Sequence, residues 1–217
     1  MYLEFILLLV FAFFYFVVYV ELKINKESVI HRFEGELTRK NLQNETFIKS
    51  PFLFNGKHLN SPIQKSSLTL IEKRKSYTKY KKVYENILLL EPYTRCNTSN
   101  EVYYINENRR LPILKERCGF NYYIVKSGKA KIAMVHPKYK DNFHKKEKEF
   151  IHFLKENQHI PFIECHENTI LFIPNHWMVY VENTEKDKLI LEIIHYQTLV
   201  NQIIYFVKKN IMKSNEL

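Results

Sequence analysis

The stretch FIECHENTILFIPNHWMVYVEN, residues 162–183, decides how this chain folds. Two β-rich runs, ENTILFIP and WMVYVEN, flank a short polar break. Pro174 ends the first run, because proline has no N–H to give a strand ladder. Trp177 opens the second with a large flat surface suited to closing one end of a barrel. Outward from this stretch the same texture recurs in SLTLIEK, NILLLEPY, EVYYIN, NYYIVKSG, KAKIAMVHP and KLILEIIHY. Val, Ile, Tyr and Phe dominate these runs, and Asn, Gly, Pro or charged residues separate them. Many short strands without intervening helices predict a mainly β (α+β) fold, an antiparallel sandwich or barrel with flanking helices. Gly128 supplies the positive φ for a turn between two of the runs.

Helical patterns stand at the margins. Residues 36–48 suit a short helix, and DNFHKKEKEFIHFLKENQ, residues 141–158, has Asp141 or Asn142 as N-cap and Phe143, Phe150, Ile151 and Leu154 on one stripe. YQTLVNQIIYFVKKNIMK, residues 196–213, repeats apolar residues at helical spacing and ends in lysines that complement the helix dipole.

Residues 2–20, YLEFILLLVFAFFYFVVYV, are apolar apart from Glu4. As a helix this run reaches across roughly 30 Å of hydrocarbon. No basic segment precedes it and no small-residue cleavage site follows, so a retained signal-anchor is expected rather than a cleaved signal peptide. Lys23, Lys26, Arg32, Arg39 and Lys40 follow the run, which places the remainder on the cytoplasmic side. The expected organisation is a transmembrane anchor over 1–20, a stalk over 21–50 and one folded domain over 51–217.

The chain has 217 residues and a formal charge of +10, which favours anionic partners. The densest basic run is EKRKSYTKYKK, residues 72–82, with Lys73, Arg74, Lys75, Lys79, Lys81 and Lys82 as a candidate basic surface. No nucleic-acid-binding signature accompanies it, so a solvated strand or loop near a charged membrane is expected in preference to nucleic-acid binding. Three cysteines at irregular spacing give neither a disulfide framework nor a structural zinc signature. No Ser-His-Asp pattern or Gly-rich phosphate loop is present.

NYYIVKSGKAKIAMVHP, residues 121–137, together with residues 162–183 resembles the double-stranded β-helix of the JmjC and cupin-like family, which includes iron- and 2-oxoglutarate-dependent oxygenases. In that family a strand beginning with Asn runs to a turn Gly, and a basic strand then ends in Pro; here these are Asn121, Gly128 and Pro137. The later family segment, gD-x-L-x-I-P-x-x-W-x-H-x-V, is matched by Thr169 to Val181 with Pro174 and Trp177 in register. The resemblance covers residues from about 115 to 200. It implies a cupin-like domain and, for active members, Fe(II) held by a His-x-Asp/Glu pair and a distant His.

At the positions the resemblance assigns to the first two ligands stand Lys115 and Arg117, both cationic at neutral pH. The third ligand position holds Val179, and the place of the lysine that pairs with 2-oxoglutarate holds Ala130, between Lys129 and Lys131. Glu116 and Cys118 are donors nearby, but no His adjoins them. The remaining histidines of this half, among them His136, His144, His166, His176 and His195, lack metal-site spacing. No catalytic residue, metal or cofactor is therefore expected. Asn121, Tyr123, Gly128, Pro174 and Trp177 are candidate pocket or scaffold markers.

These features favour a membrane-anchored, non-catalytic cupin/JmjC-like protein with a binding or structural role, whose partner beyond the membrane is an unspecified protein or other ligand. The composition, rich in Lys, Asn, Ile, Tyr and Phe, together with the ligand-free motif resembles proteins of large DNA viruses, implying a host or virion membrane. Two alternatives stand beside it: an Fe(II)/2-oxoglutarate-dependent oxygenase with a non-standard metal site, and a basic membrane-surface or nucleic-acid binder.

Overall fold

The computed structural model describes residues 2–25, 29–59, 63, 67–83, 87–116, 118–142, 147–157, 160 and 162–203. Its strands are β1 (His31–Arg32), β2 (Phe52–Asn55), β3 (Leu68–Lys73), β4 (Tyr77–Lys82), β5 (Arg95–Ile105), β6 (Leu114–Lys115), β7 (Phe120–Ser127), β8 (Ala130–Val135), β9 (Phe162–Cys165), β10 (Thr169–Pro174), β11 (Met178–Asn183) and β12 (Leu189–Thr198). The helices are α1 (Tyr2–Leu22), α2 (Arg39–Ile48) and α3 (Glu147–Glu156).

The strands form one sheet in the order β1-β2-β10-β7-β12-β5-β4-β3 and a second in the order β6-β11-β8-β9. Numbering β5 to β12 as one to eight, the first sheet contains the order 6-3-8-1 and the second is 2-7-4-5. That interleaving, with the chain crossing repeatedly from sheet to sheet, is a jelly roll, or double-stranded β-helix. Gly128 makes one of the crossings, from β7 to β8, with a φ of 83°.

Period two explains the layers. On β7, Tyr123 and Val125 face the space between the sheets with Leu171, Ile173, Val179, Val181, Leu191 and Ile193. Phe120, Tyr122 and Ile124 face the other way and pack with Phe52, Phe172, Ile194 and Tyr196. Because both faces are covered, β7 reads as a continuous apolar run rather than an alternating one. The outer face of the large sheet is closed by Leu42 of α2 and by Leu90, both fully buried. Phe150 and Leu154 of α3 close the outer face of the small sheet, against Ala133, Val135, Met178 and Tyr180.

Several expectations change at the margins. NILLLEPY supplies a turn at 88–90, closed by the Leu90 N–H donating to the Ile87 carbonyl at 2.9 Å, and Leu89 and Leu90 cap a sheet instead of joining one, while Leu88 is exposed. Asp141 and Asn142 belong to a 3-10 turn, Pro137–Asn142, while Phe143 and His144 lie outside the described residues. Tyr196 to Thr198 belong to β12, because Tyr196 is buried edge-on against Tyr122. The C-terminal helix therefore starts at Leu199, and its part beyond residue 203 lies outside the described residues. Residues 21–50, expected as a stalk, supply β1 and α2, whose Thr38 cap accepts from the Asn41 N–H at 3.2 Å.

The expected transmembrane helix over 2–20 meets a specific obstacle. A helix is present, but among the described residues no helix is long and apolar enough to cross a membrane.

Candidate functional site

A polar cluster lies where β7 and β12 begin and end, on the face that looks into the sandwich. Asn121, fully buried, donates from Nδ2 to the carbonyls of Cys118 (3.0 Å) and Ile173 (2.9 Å), which turns its Oδ1 toward His195. The His195 Nδ1–H donates to that oxygen at 2.8 Å and lies 3.3 Å from Glu116 Oε2. Tyr123 Oη donates to the other oxygen of Glu116 through a short hydrogen bond. Glu116 is placed by its own backbone: its N–H donates to the Trp177 carbonyl (2.9 Å) and its carbonyl accepts from the His176 N–H (2.7 Å). Local sequence makes that possible, since His176 takes a φ of 69° and turns the chain between Pro174 and Trp177.

A second layer extends the cluster toward β4 and β5. Tyr103 Oη donates to Glu101 Oε2 at 2.8 Å, and Lys79 Nζ reaches the same oxygen at 2.8 Å. Burial pushes the Tyr123 phenol well above its ordinary range, and the Glu116 charge adds to this. Burial likewise raises the Cys118 thiol. For His195 burial opposes charge, but the hydrogen bond and negative charge of Glu116 outweigh it and raise the imidazole pKa. The cluster therefore combines neutral phenols, a protonated thiol and an imidazole held against a carboxylate. Each group is occupied by another, which suits a satisfied buried network more than a nucleophile or a proton relay.

The sequence markers fall into this frame. Asn121, Tyr123 and Trp177 are buried in the core; Trp177 meets the His136 ring edge-on at 5.1 Å. His136 is itself fixed, accepting at Nδ1 from the Lys138 N–H (3.0 Å) and donating from Nε2 to the Asn25 carbonyl (2.6 Å). Pro174 pairs with Phe120 at the end of β10.

The basic run is corrected. Lys82 is buried, with 1% of its side chain exposed, 3.1 Å from Glu192 Oε1, while Lys126 lies 3.1 Å from Glu192 Oε2 and Asn100 donates to Oε1 at 2.7 Å. Burial alone would raise the Glu192 pKa, but the two ammonium groups and Asn100 hold it below the usual range. Lys79 pairs with Glu101 and Arg74 with Glu72, leaving Lys73, Arg74, Lys75 and Lys81 exposed. The six cations thus do not form one surface. Strand alternation sends Lys82 and Lys79 to opposite faces of the large sheet.

The residues present do not fit the iron site that the sequence resemblance implies. Lys115 is exposed on β6, Val179 and Ala130 are fully buried aliphatic groups, and Arg117 lies outside the described residues. Glu116 and His195 are the nearest donors, and both are engaged. Among the described residues no group of three His, Cys, Asp or Glu side chains could hold a metal ion. Glu116 and His195 were hidden in the sequence because they lie 79 residues apart. The one available signal was His195 on the same parity as Leu191 and Ile193, the inward residues of β12.

Strand order and buried inner face together define a cupin-like β-sandwich. No protein-family model matches the sequence, and a comparison with curated proteins found no match. Solved structures similar in shape include the cupin domain of Cnp3 from Schizosaccharomyces pombe, 9% identical with a TM-score of 0.42, over 66% of this chain and 79% of that one. A cupin superfamily protein from Desulfitobacterium hafniense is 12% identical with a TM-score of 0.36, over 58% and 84%. Vicilin from hazelnut, Corylus avellana, is 16% identical with a TM-score of 0.42, over 63% and 33%. Similarity at this level says nothing of ligand or activity.

Proposed function

We propose that this chain is a non-catalytic cupin-like binding or structural module, held at a membrane by its N-terminal helix with the β-sandwich on the cytoplasmic face. The observation that carries the non-catalytic part is the interior itself: Val179 and Ala130 fill two expected functional positions, and Glu116 is tied to Tyr123 and His195. The anchor is supported by α1, where Phe5, Leu8, Phe11, Phe13 and Phe16 are all more than half exposed. Apolar surface of that extent is unfavourable in water and suits a lipid environment. A source in a large DNA virus is supported by composition alone.

The test is titration of the full chain in detergent micelles with ferrous or manganous ion, followed by calorimetry, with 2-oxoglutarate consumption assayed in parallel. No stoichiometric binding at about micromolar affinity and no turnover are expected. One equivalent of tightly bound metal, with consumption of 2-oxoglutarate, would establish the oxygenase alternative instead.

A further inference from the structure

We infer that a cleft at the opposite end of the sandwich from the N-terminal tether binds a small, water-soluble phosphomonoester. The cleft has a volume of ≈ 380 Å³ and is lined by Arg74, Ser76, Asn108, Arg109, Arg110 and Glu182 among others. That is the size of a small-molecule site. Its lining includes three arginines and one carboxylate. Guanidinium forks match phosphate oxygens two at a time and keep their charge at any physiological pH.

The site is built in advance. Arg74 and Ser76 lie in the β3–β4 hairpin, where the Arg74 N–H donates to the Tyr77 carbonyl at 2.8 Å. Asn108, Arg109 and Arg110 lie in the β5–β6 loop. Asn106 joins the two: its N–H donates to the Ser76 carbonyl (3.1 Å) and its Nδ2 to the Lys75 carbonyl (2.9 Å). Asn183, 1% exposed, holds the loop from below, donating from Nδ2 to the carbonyls of Ile105 and Asn106, both at 3.2 Å. Its N–H donates to the Arg109 carbonyl at 2.9 Å. Little ordering entropy then remains to be lost when a ligand arrives.

Charge points to the ligand. Arg74 is ion-paired with Glu72, and Arg110 interacts with Tyr180. The Arg109 guanidinium is exposed and makes no ion pair or side-chain hydrogen bond among the described residues. The lining carries two more cations than anions, three Arg against Glu182, and a phosphomonoester carries a charge of about −1.5 to −2. Glu182, accepting from Tyr180 Oη at 3.1 Å, leaves an acceptor in the wall for a ligand hydroxyl. Polynucleotide does not suit the site, because Tyr77, the aromatic residue in the lining, is 4% exposed and has no face for a base.

Position favours a soluble source over a lipid headgroup. The chain leaving α1 is fixed where Asn25 meets His136, just past the end of β8, whereas the cleft adjoins Asn183, which pairs with Ala130 at the start of β8. The six residues of β8 separate the two by about 17–20 Å. The choice of source rests on the membrane-anchor proposal; the anion site does not, and neither depends on whether the interior holds metal.

The test is calorimetric titration of the full chain in micelles with glycerol 3-phosphate, and separately with vesicles of phosphatidylcholine containing phosphatidic acid. Saturable binding of one equivalent at or below about 1 mM is expected. Arg109→Ala should weaken it roughly tenfold or more, and Lys81→Glu, outside the cleft, by no more than about twofold. Absence of saturable binding, no effect of Arg109→Ala, or an equal loss with Lys81→Glu would overturn the site. Binding of phosphatidic acid vesicles without binding of glycerol 3-phosphate would overturn the soluble ligand.

Discussion

His195 shows how one side chain links packing to solution behaviour. Burial disfavours its cationic form, but the Glu116 carboxylate at 3.3 Å more than offsets that and raises its pKa above the unfolded value. A raised histidine pKa means that the added stability is complete below about pH 6.5 and is lost as pH rises through the folded pKa. The thermal unfolding midpoint of the full chain should therefore fall as pH rises above about 6.5, and His195→Gln should flatten that dependence. Equal slopes for the two proteins in differential scanning calorimetry would contradict it. Glu116 was legible only as a nearby donor and His195 only as one of several histidines. Neither residue's neighbours in the chain reveal that they meet.

At the scale of elements, the β7–β8 crossing depends on a conformation that glycine alone takes cheaply. Gly128 has a φ of 83°, and a Cβ there would sit 3.3 Å from the Leu189 Cα and 3.4 Å from the Lys188 carbonyl oxygen, both backbone atoms. Gly128→Ala should lower the unfolding free energy by about 1–3 kcal/mol, read from denaturant midpoints at unchanged m-value. An unaltered midpoint would show that the crossing relaxes freely. This turn was legible because a lone Gly between two β-rich runs has a local cause. NILLLEPY was misread for a matching reason: three leucines in a row fit a strand as well as a cap on another sheet's face, and only the Ile87–Leu90 turn distinguishes them.

At the scale of the whole molecule, the described sandwich is four layers deep, with α2 on the large sheet and α3 on the small one. Residues before 51 belong to this stack through Leu42, so what the sequence suggested as a stalk also packs against the domain. The exposed apolar side chains of α1 remain outside the stack. If α1 anchors the protein, the full chain should stay with membranes after an alkaline wash, and a variant lacking residues 2–20 should move to the soluble fraction. Recovery of the full chain in the supernatant would remove the anchor. The charge of +10 also changes meaning at this scale, because Lys82 and Lys126 flank Glu192 in the interior, and the one net positive charge of these three side chains is buried instead of displayed on the surface.

By itself the sequence determined most strands of the sandwich, the Gly128 turn, the break after Pro174 and which side chains stand at the expected ligand positions, because these follow from side-chain chemistry and spacing within a few residues. Tertiary structure alone decided that the basic run would be divided between opposite faces, that Glu116 and His195 would meet, and that two loops would bring Arg74 beside Arg109 and Arg110. Burial and pairing of that kind depend on strand register between segments far apart in the chain, and no local pattern encodes which partner arrives.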